Sequence, residues 1–89
     1  MARQKLNLLL VEDAAADAEL IEKELVKARI EFNSRRVEGE EAFLQAVSEC
    51  PPDLILSEYA LREFTAVDAL RLLQESNQNI PLILVTGTH

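Results

Sequence analysis

"KLNLLLVEDAAADAELIEKEL" (residues 5–25) passes from one hydrophobic period into another, and that change decides the fold. Residues 5–11 are apolar with scarcely any alternation, the pattern of a strand covered on both faces in a parallel sheet. Beyond the acids Glu12 and Asp13, apolar residues recur at Ala14, Ala18, Ile21, Leu25 and Ala28. Spacings of four and three lay one helical stripe on a neighbour. The stretch therefore predicts a strand, an acidic turn and a helix.

The same succession is repeated along the chain. "DLILS" (53–57) and "PLILVT" (81–86) are two more short apolar runs, and Ala42, Phe43, Ala46 and Val47, then Val67, Leu70 and Leu73, mark two more helices. Residues 30–37 mix Ile, Phe and Val with Asn, Ser and two Arg, which suits an edge strand whose charges discourage further pairing. "CPPD" and "NQNIP" end helices ahead of strands, Gly39 lies at a strand-to-helix turn, and "TAVD" (65–68) resembles a capping box. The predicted order is β-α-β-α-β-α-β. Right-handed crossovers then give a parallel sheet with helices on both faces and a ligand crevice beyond the carboxyl ends of the strands, where the order reverses; the order expected is 2-1-3-4.

Bulk properties narrow the function. Eighty-nine residues, nearly half of them apolar, make at most one small domain. A net charge of −7, with cations scattered rather than gathered in a stripe, argues against direct nucleic-acid binding. No apolar run approaches the roughly 20 residues of a membrane span, and acids arrive too early for a signal peptide. The chain is accordingly read as cytoplasmic. Cys50 is the single cysteine, without a partner for a disulfide or a metal pair, and is expected to be a buried or half-buried thiol. Repeats, low-complexity tracts and linkers are absent. A sheet ending at "LILVTGTH" would expose an edge of hydrocarbon side chains, so residues 1–89 are expected to be the N-terminal portion of a longer domain.

Three acids fall at predicted strand ends: Glu12 and Asp13 after the first strand, Glu58 after the third. In the order 2-1-3-4 those strands are neighbours, about 4.8 Å apart. The acids would share one crevice. Clustered carboxylates raise one another's pKa unless a cation lies among them, and an all-oxygen site with room for water suits Mg²⁺. Spacing alone equally allows ordinary solvated loop acids.

Taken together, "LLLVEDAAADAELI", "PPDLILSEYAL", "FTAVDALRLL" and "PLILVTGT" resemble the receiver domain of two-component response regulators. The likeness is nearest to receivers with "VED…DAELI" in the first helix and "DLILSDY.LPGF.G..AL" after the third strand, and it covers the whole chain in order. It implies a flavodoxin-like three-layer α/β/α fold, truncated here before a final α-β-α, and a signalling role in a phosphorelay rather than an enzymatic one. Glu12 and Asp13 match the acid pair that holds Mg²⁺. Glu58 stands where the family has its phosphoacceptor aspartate, the backbone carbonyl of Ala60 matches a further metal ligand, and Thr86 matches the switch hydroxyl that reports phosphorylation. The implied partners are a histidine kinase, a phosphotransfer protein or an output domain in the same chain. The family's lysine, at the end of a fifth strand, has no counterpart within residues 1–89.

Glu58 departs from the pattern in a way that matters chemically. Phosphoryl transfer needs in-line placement of the attacking oxygen and neutralisation of the equatorial oxygens. Glu adds one C–C bond, roughly 1.5 Å of reach, so its carboxylate does not fall where an aspartate's would. A misplacement of about 1 Å costs on the order of a hundredfold in rate. Glu58 is therefore expected not to accept a phosphoryl group by the usual chemistry; a fixed negative charge mimicking the phosphorylated state and a decayed site both remain open. The following Leu61-Arg62-Glu63-Phe64-Thr65-Ala66 lacks the Pro and both Gly of "LPGF.G", so drift accompanies the change. Two alternatives belong to other classes. One is a Mg²⁺-dependent phosphohydrolase of similar fold, which would want Asp-x-Asp where this chain has Glu-Asp; the other is a metal-free interaction module. Glu38, Glu40 and Glu41 read as a solvated helix start, and Tyr59 as a packing residue.

Overall fold

The structure is a computed structural model that describes residues 5–58 and 64–85. Its elements are β1 (Leu6–Val11), α1 (Ala15–Lys27), β2 (Phe32–Val37), α2 (Glu40–Glu49), β3 (Leu54–Glu58), α3 (Ala66–Glu75) and β4 (Leu82–Val85). All strand pairs are parallel, in the expected order β2-β1-β3-β4. β1, with Leu8–Val11 all buried, is a central strand, whereas β2, with Asn33, Ser34, Arg35 and Arg36 exposed, lies at one edge.

Alternation along the strands divides the core in two. Leu9 and Val11 of β1 with Ile55 of β3 face α2 and α3, where they meet Phe43, Val47, Phe64, Ala69 and Leu73. Leu8 and Leu10 face α1 and pack with Ala18, Ile21, Leu25, Leu54 and Leu56. The Phe43 and Phe64 rings lie 5.2 Å apart, tilted by 50°, an arrangement that adds a quadrupolar attraction to the burial of both rings. Phe64 thus anchors the chain just before α3.

Local chemistry sets the helix ends. Thr65 caps α3 with a reciprocal capping box: its Oγ1 accepts from the Asp68 amide and the Asp68 carboxylate accepts from the Thr65 amide. Gly39 is the N-cap of α2, in extended conformation. At their other ends α1 and α3 close through non-glycine residues in the left-handed region, Arg29 (φ 61°) and Asn77 (φ 60°). In each case the next amide reaches back five residues, Ile30 to Leu25 and Gln78 to Leu73, which is the Schellman pattern.

Two expectations are corrected. Cys50 is exposed, because α2 stops at Glu49 and the thiol sits past the last turn instead of continuing its apolar stripe. The edge strand begins at Phe32 rather than at residue 30, since Arg29 and Ile30 are taken up by the closure of α1. β4 lies at the other edge of the sheet among the described residues, with Ile83 and Leu84 about half exposed.

Candidate functional site

Val11 and Ser57 are register partners, so Glu12 and Glu58 leave neighbouring strands side by side at their carboxyl ends. Side-chain alternation then fixes their direction. Glu12 continues the even-numbered set Leu8 and Leu10, and Glu58 continues Leu54 and Leu56, so both emerge on the α1 face. Ser57 points the other way and is fully buried, and its Oγ has no hydrogen-bond partner among the described residues.

Glu12 is only 2% exposed. Its amide donates to the Val37 carbonyl (3.1 Å), and its Oε2 accepts from the Ala14 amide (3.1 Å), folding the side chain back over the turn into α1. Its Oε1 is buried without a partner among the described residues. Burial pushes the Glu12 carboxyl up to about 7; the Ala14 amide opposes this, while the Asp13 side chain and the charges of Glu58 and Asp17 reinforce it. A solvated loop acid would show none of this. Asp13 is exposed and fits the solvated description, and Glu58 is half-buried.

The expected site residues are brought together unequally. Glu12, Asp13 and Glu58 share one end of β1 and β3, and Glu58 is close enough to act electrostatically on Glu12. Ala60 and Thr86, together with Tyr59, Leu61, Arg62, Glu63 and His89, lie outside the described residues. Among the described residues no group of three or more Asp, Glu, His or Cys side chains closes round a common point as a metal cage would. No described helix is long and apolar enough to cross a membrane.

One neighbour of the site escaped the sequence. Arg36 donates from Nη1 to the backbone carbonyl of Glu12 (3.0 Å) and pairs with Glu38 (3.5 Å). Its residue type suggested only a charged edge. The signal that could have found it is parity, since Arg36 precedes the buried Val37 and so points to the α1 face.

No family model matches the chain, nor does any curated protein. Solved structures do. The MaeR response regulator bound to beryllium trifluoride superposes with a TM-score of 0.78 at 22% identity, over 94% of this chain and 69% of its own. An Asp-to-Ala mutant of MaeR bound to sulfate gives 0.80 at 21% identity, over 97% and 70%. A response regulator receiver protein from Pseudomonas putida gives 0.73 at 21% identity, over 99% and 73%. With the same strand order and the acids at the same end of the sheet as the sequence resemblance implies, the chain has the flavodoxin-like fold of response-regulator receiver domains.

Proposed function

We propose that the chain is a signalling module of the receiver type, acting in the cytoplasm by presenting a surface to a partner or output domain rather than by catalysing a reaction. The observation that carries this reading is the buried Glu12 beside Glu58 at the carboxyl ends of adjacent parallel strands, within a receiver fold. Partners of matching chemistry are a histidine kinase, a phosphotransfer protein or an output domain in the same chain.

In this reading the crevice takes Mg²⁺ weakly, with the carboxylates of Glu12, Asp13 and Glu58 and the Ala60 carbonyl as donors. The donor set is all oxygen, as a hard cation requires, and Glu12 Oε1 is a buried acceptor with no described partner. A bound ion would offset the burial, and next the neighbouring charges, that push the Glu12 carboxyl up. Glu58 occupies the phosphoacceptor position but is silent toward phosphoryl donors, because its extra bond displaces the nucleophilic oxygen. Thr86 is the hydroxyl that would relay the state of the crevice to the adjoining face.

Incubation with Mg²⁺ and a small phosphoryl donor, followed by intact and peptide mass, should leave Glu58 unmodified; one phosphoryl group on Glu58 would overturn this part of the reading. Titration with Mg²⁺ should move the NMR signals of Glu12, Asp13 and Glu58 saturably. A second reading, a metal-free interaction module, is favoured by the failure of carboxylates among the described residues to converge, and unmoved signals at high Mg²⁺ would establish it.

A further inference from the structure

β2 holds the end of β1 at two points. The Glu12 amide donates to the Val37 carbonyl, and the Glu12 carbonyl accepts from Arg36. Parallel pairing makes this possible. Arg36 is the register partner of Leu10, whose side chain packs against α1, so Arg36 leaves the sheet on the face that carries Glu12 and Glu58, and its guanidinium reaches forward along β1. The contact to Glu38 does not explain why an Arg stands there. At 3.5 Å, with one-third of the Arg36 side chain and well over half of the Glu38 side chain exposed, such a pair contributes little to stability.

We infer that Arg36 is the positioning residue of the acidic turn. The Glu12 carbonyl and the Asp13 amide belong to one rigid peptide plane, so a donor fixed on the carbonyl also fixes the direction in which Asp13 leaves the strand. The Ala14 amide then meets Glu12 Oε2, and the turn closes. One side chain from the edge strand therefore orients both acids of the pair. The functional consequence rests on the Mg²⁺ crevice proposed above, but the orienting role does not.

Charge and positioning predict opposite signs, which makes the inference testable. A guanidinium beside a cation site repels the cation, so on charge alone Arg36→Gln should tighten Mg²⁺ binding. As a positioning residue, Arg36 should instead resemble the outer-shell partners of metal ligands, whose loss weakens binding by at least roughly tenfold. The experiment is Mg²⁺ titration by NMR of the wild type, R36Q and R36K, with amide hydrogen exchange of Asp13 and Ala14 measured in chelator. The expected results are Mg²⁺ binding weakened about tenfold in R36Q, largely recovered in R36K, and faster Ala14 exchange in R36Q than in R36K or E38Q. Unchanged Ala14 exchange in R36Q overturns the inference whatever the metal does, as does equal or tighter Mg²⁺ binding by R36Q. A wild type that binds no Mg²⁺ refutes the crevice reading alone, and the exchange data still decide the role of Arg36.

Discussion

Glu12 and Glu58 stand side by side at the ends of β1 and β3, one residue beyond the paired Val11 and Ser57, and the charge of Glu58 helps to hold Glu12 protonated. Two carboxylates so placed, one of them almost wholly buried, make the crevice a locus of stored electrostatic cost. Its relief by a proton gives a stability signature.

Glu12 has a folded pKa of about 7 against an ordinary value of 4.5, so between those values the folded chain keeps a proton that the unfolded chain has released. Stability should therefore fall as pH rises through this window and level off above it, by up to about 3 kcal/mol. Glu12→Gln removes the titrating group and should flatten that slope, raising stability by up to about 3 kcal/mol at pH 8 and by little at pH 4. Urea denaturation of both proteins in chelator across this range is the check; an unaltered slope in the variant would assign the pH dependence elsewhere.

Glu58→Asp shortens the side chain by one C–C bond and returns the carboxylate to the position the resemblance expects. If reach is what silences the site, the variant should acquire one phosphoryl group from a small donor in the presence of Mg²⁺ while the wild type acquires none. Peptide mass locates the product. A variant as inert as the wild type would place the defect in the rest of the crevice.

Removing the capping hydroxyl of α3 with Thr65→Ala should destabilise the protein by about 1 kcal/mol. The Thr65 amide, and next the Thr65 side chain, hold the Asp68 carboxyl below its ordinary value. That stabilisation is present above the unfolded pKa and is lost as pH falls through the folded one, so the deficit of the variant should narrow in acid. Thermal melts at neutral and acidic pH measure both effects.

Arg29→Gly should stabilise the protein by roughly 0.5–1 kcal/mol, since Arg29 holds a left-handed φ of 61° that costs an L-residue with a Cβ and costs glycine nothing. Asn77→Gly should gain less, because Asn tolerates that region. The comparison of denaturation midpoints also tests whether α1 closes as described.

The order of elements was legible in the sequence because it rests on period, and the period changes at Glu12, at Gly39 and at Thr65; the strand order 2-1-3-4 was expected from a doubly wound topology rather than read from period. The capping box could be read for the same reason: Thr65 and Asp68 carry their hydrogen-bonding chemistry in their side chains. The helix closures at Arg29 and Asn77 were not legible, since the usual signal there is glycine and neither residue announces a positive φ. Nor does spacing show which of two consecutive acids turns inward. That Glu12 is buried and Asp13 exposed belongs to the turn into α1, where the Glu12 carboxylate folds back to accept from the Ala14 amide, a property of the folded chain. Arg36 was hidden because its contact is to a backbone carbonyl, which leaves no trace in residue type.

Ser57 and Glu58 point to opposite faces of β3, the hydroxyl to the face it shares with Ile55, where Phe43 and Phe64 also pack, and the carboxylate toward the crevice. A slip of β3 by one residue against β1 would exchange them and thrust a carboxylate into the aromatic side of the core, at a cost of several kcal/mol. Leucine-rich strands on their own offer little to choose between adjacent registers. The acid that ends β3 is thus a key that fits the sheet in only one alignment, and replacing it with an apolar residue would remove a barrier to misfolding as well as a charge.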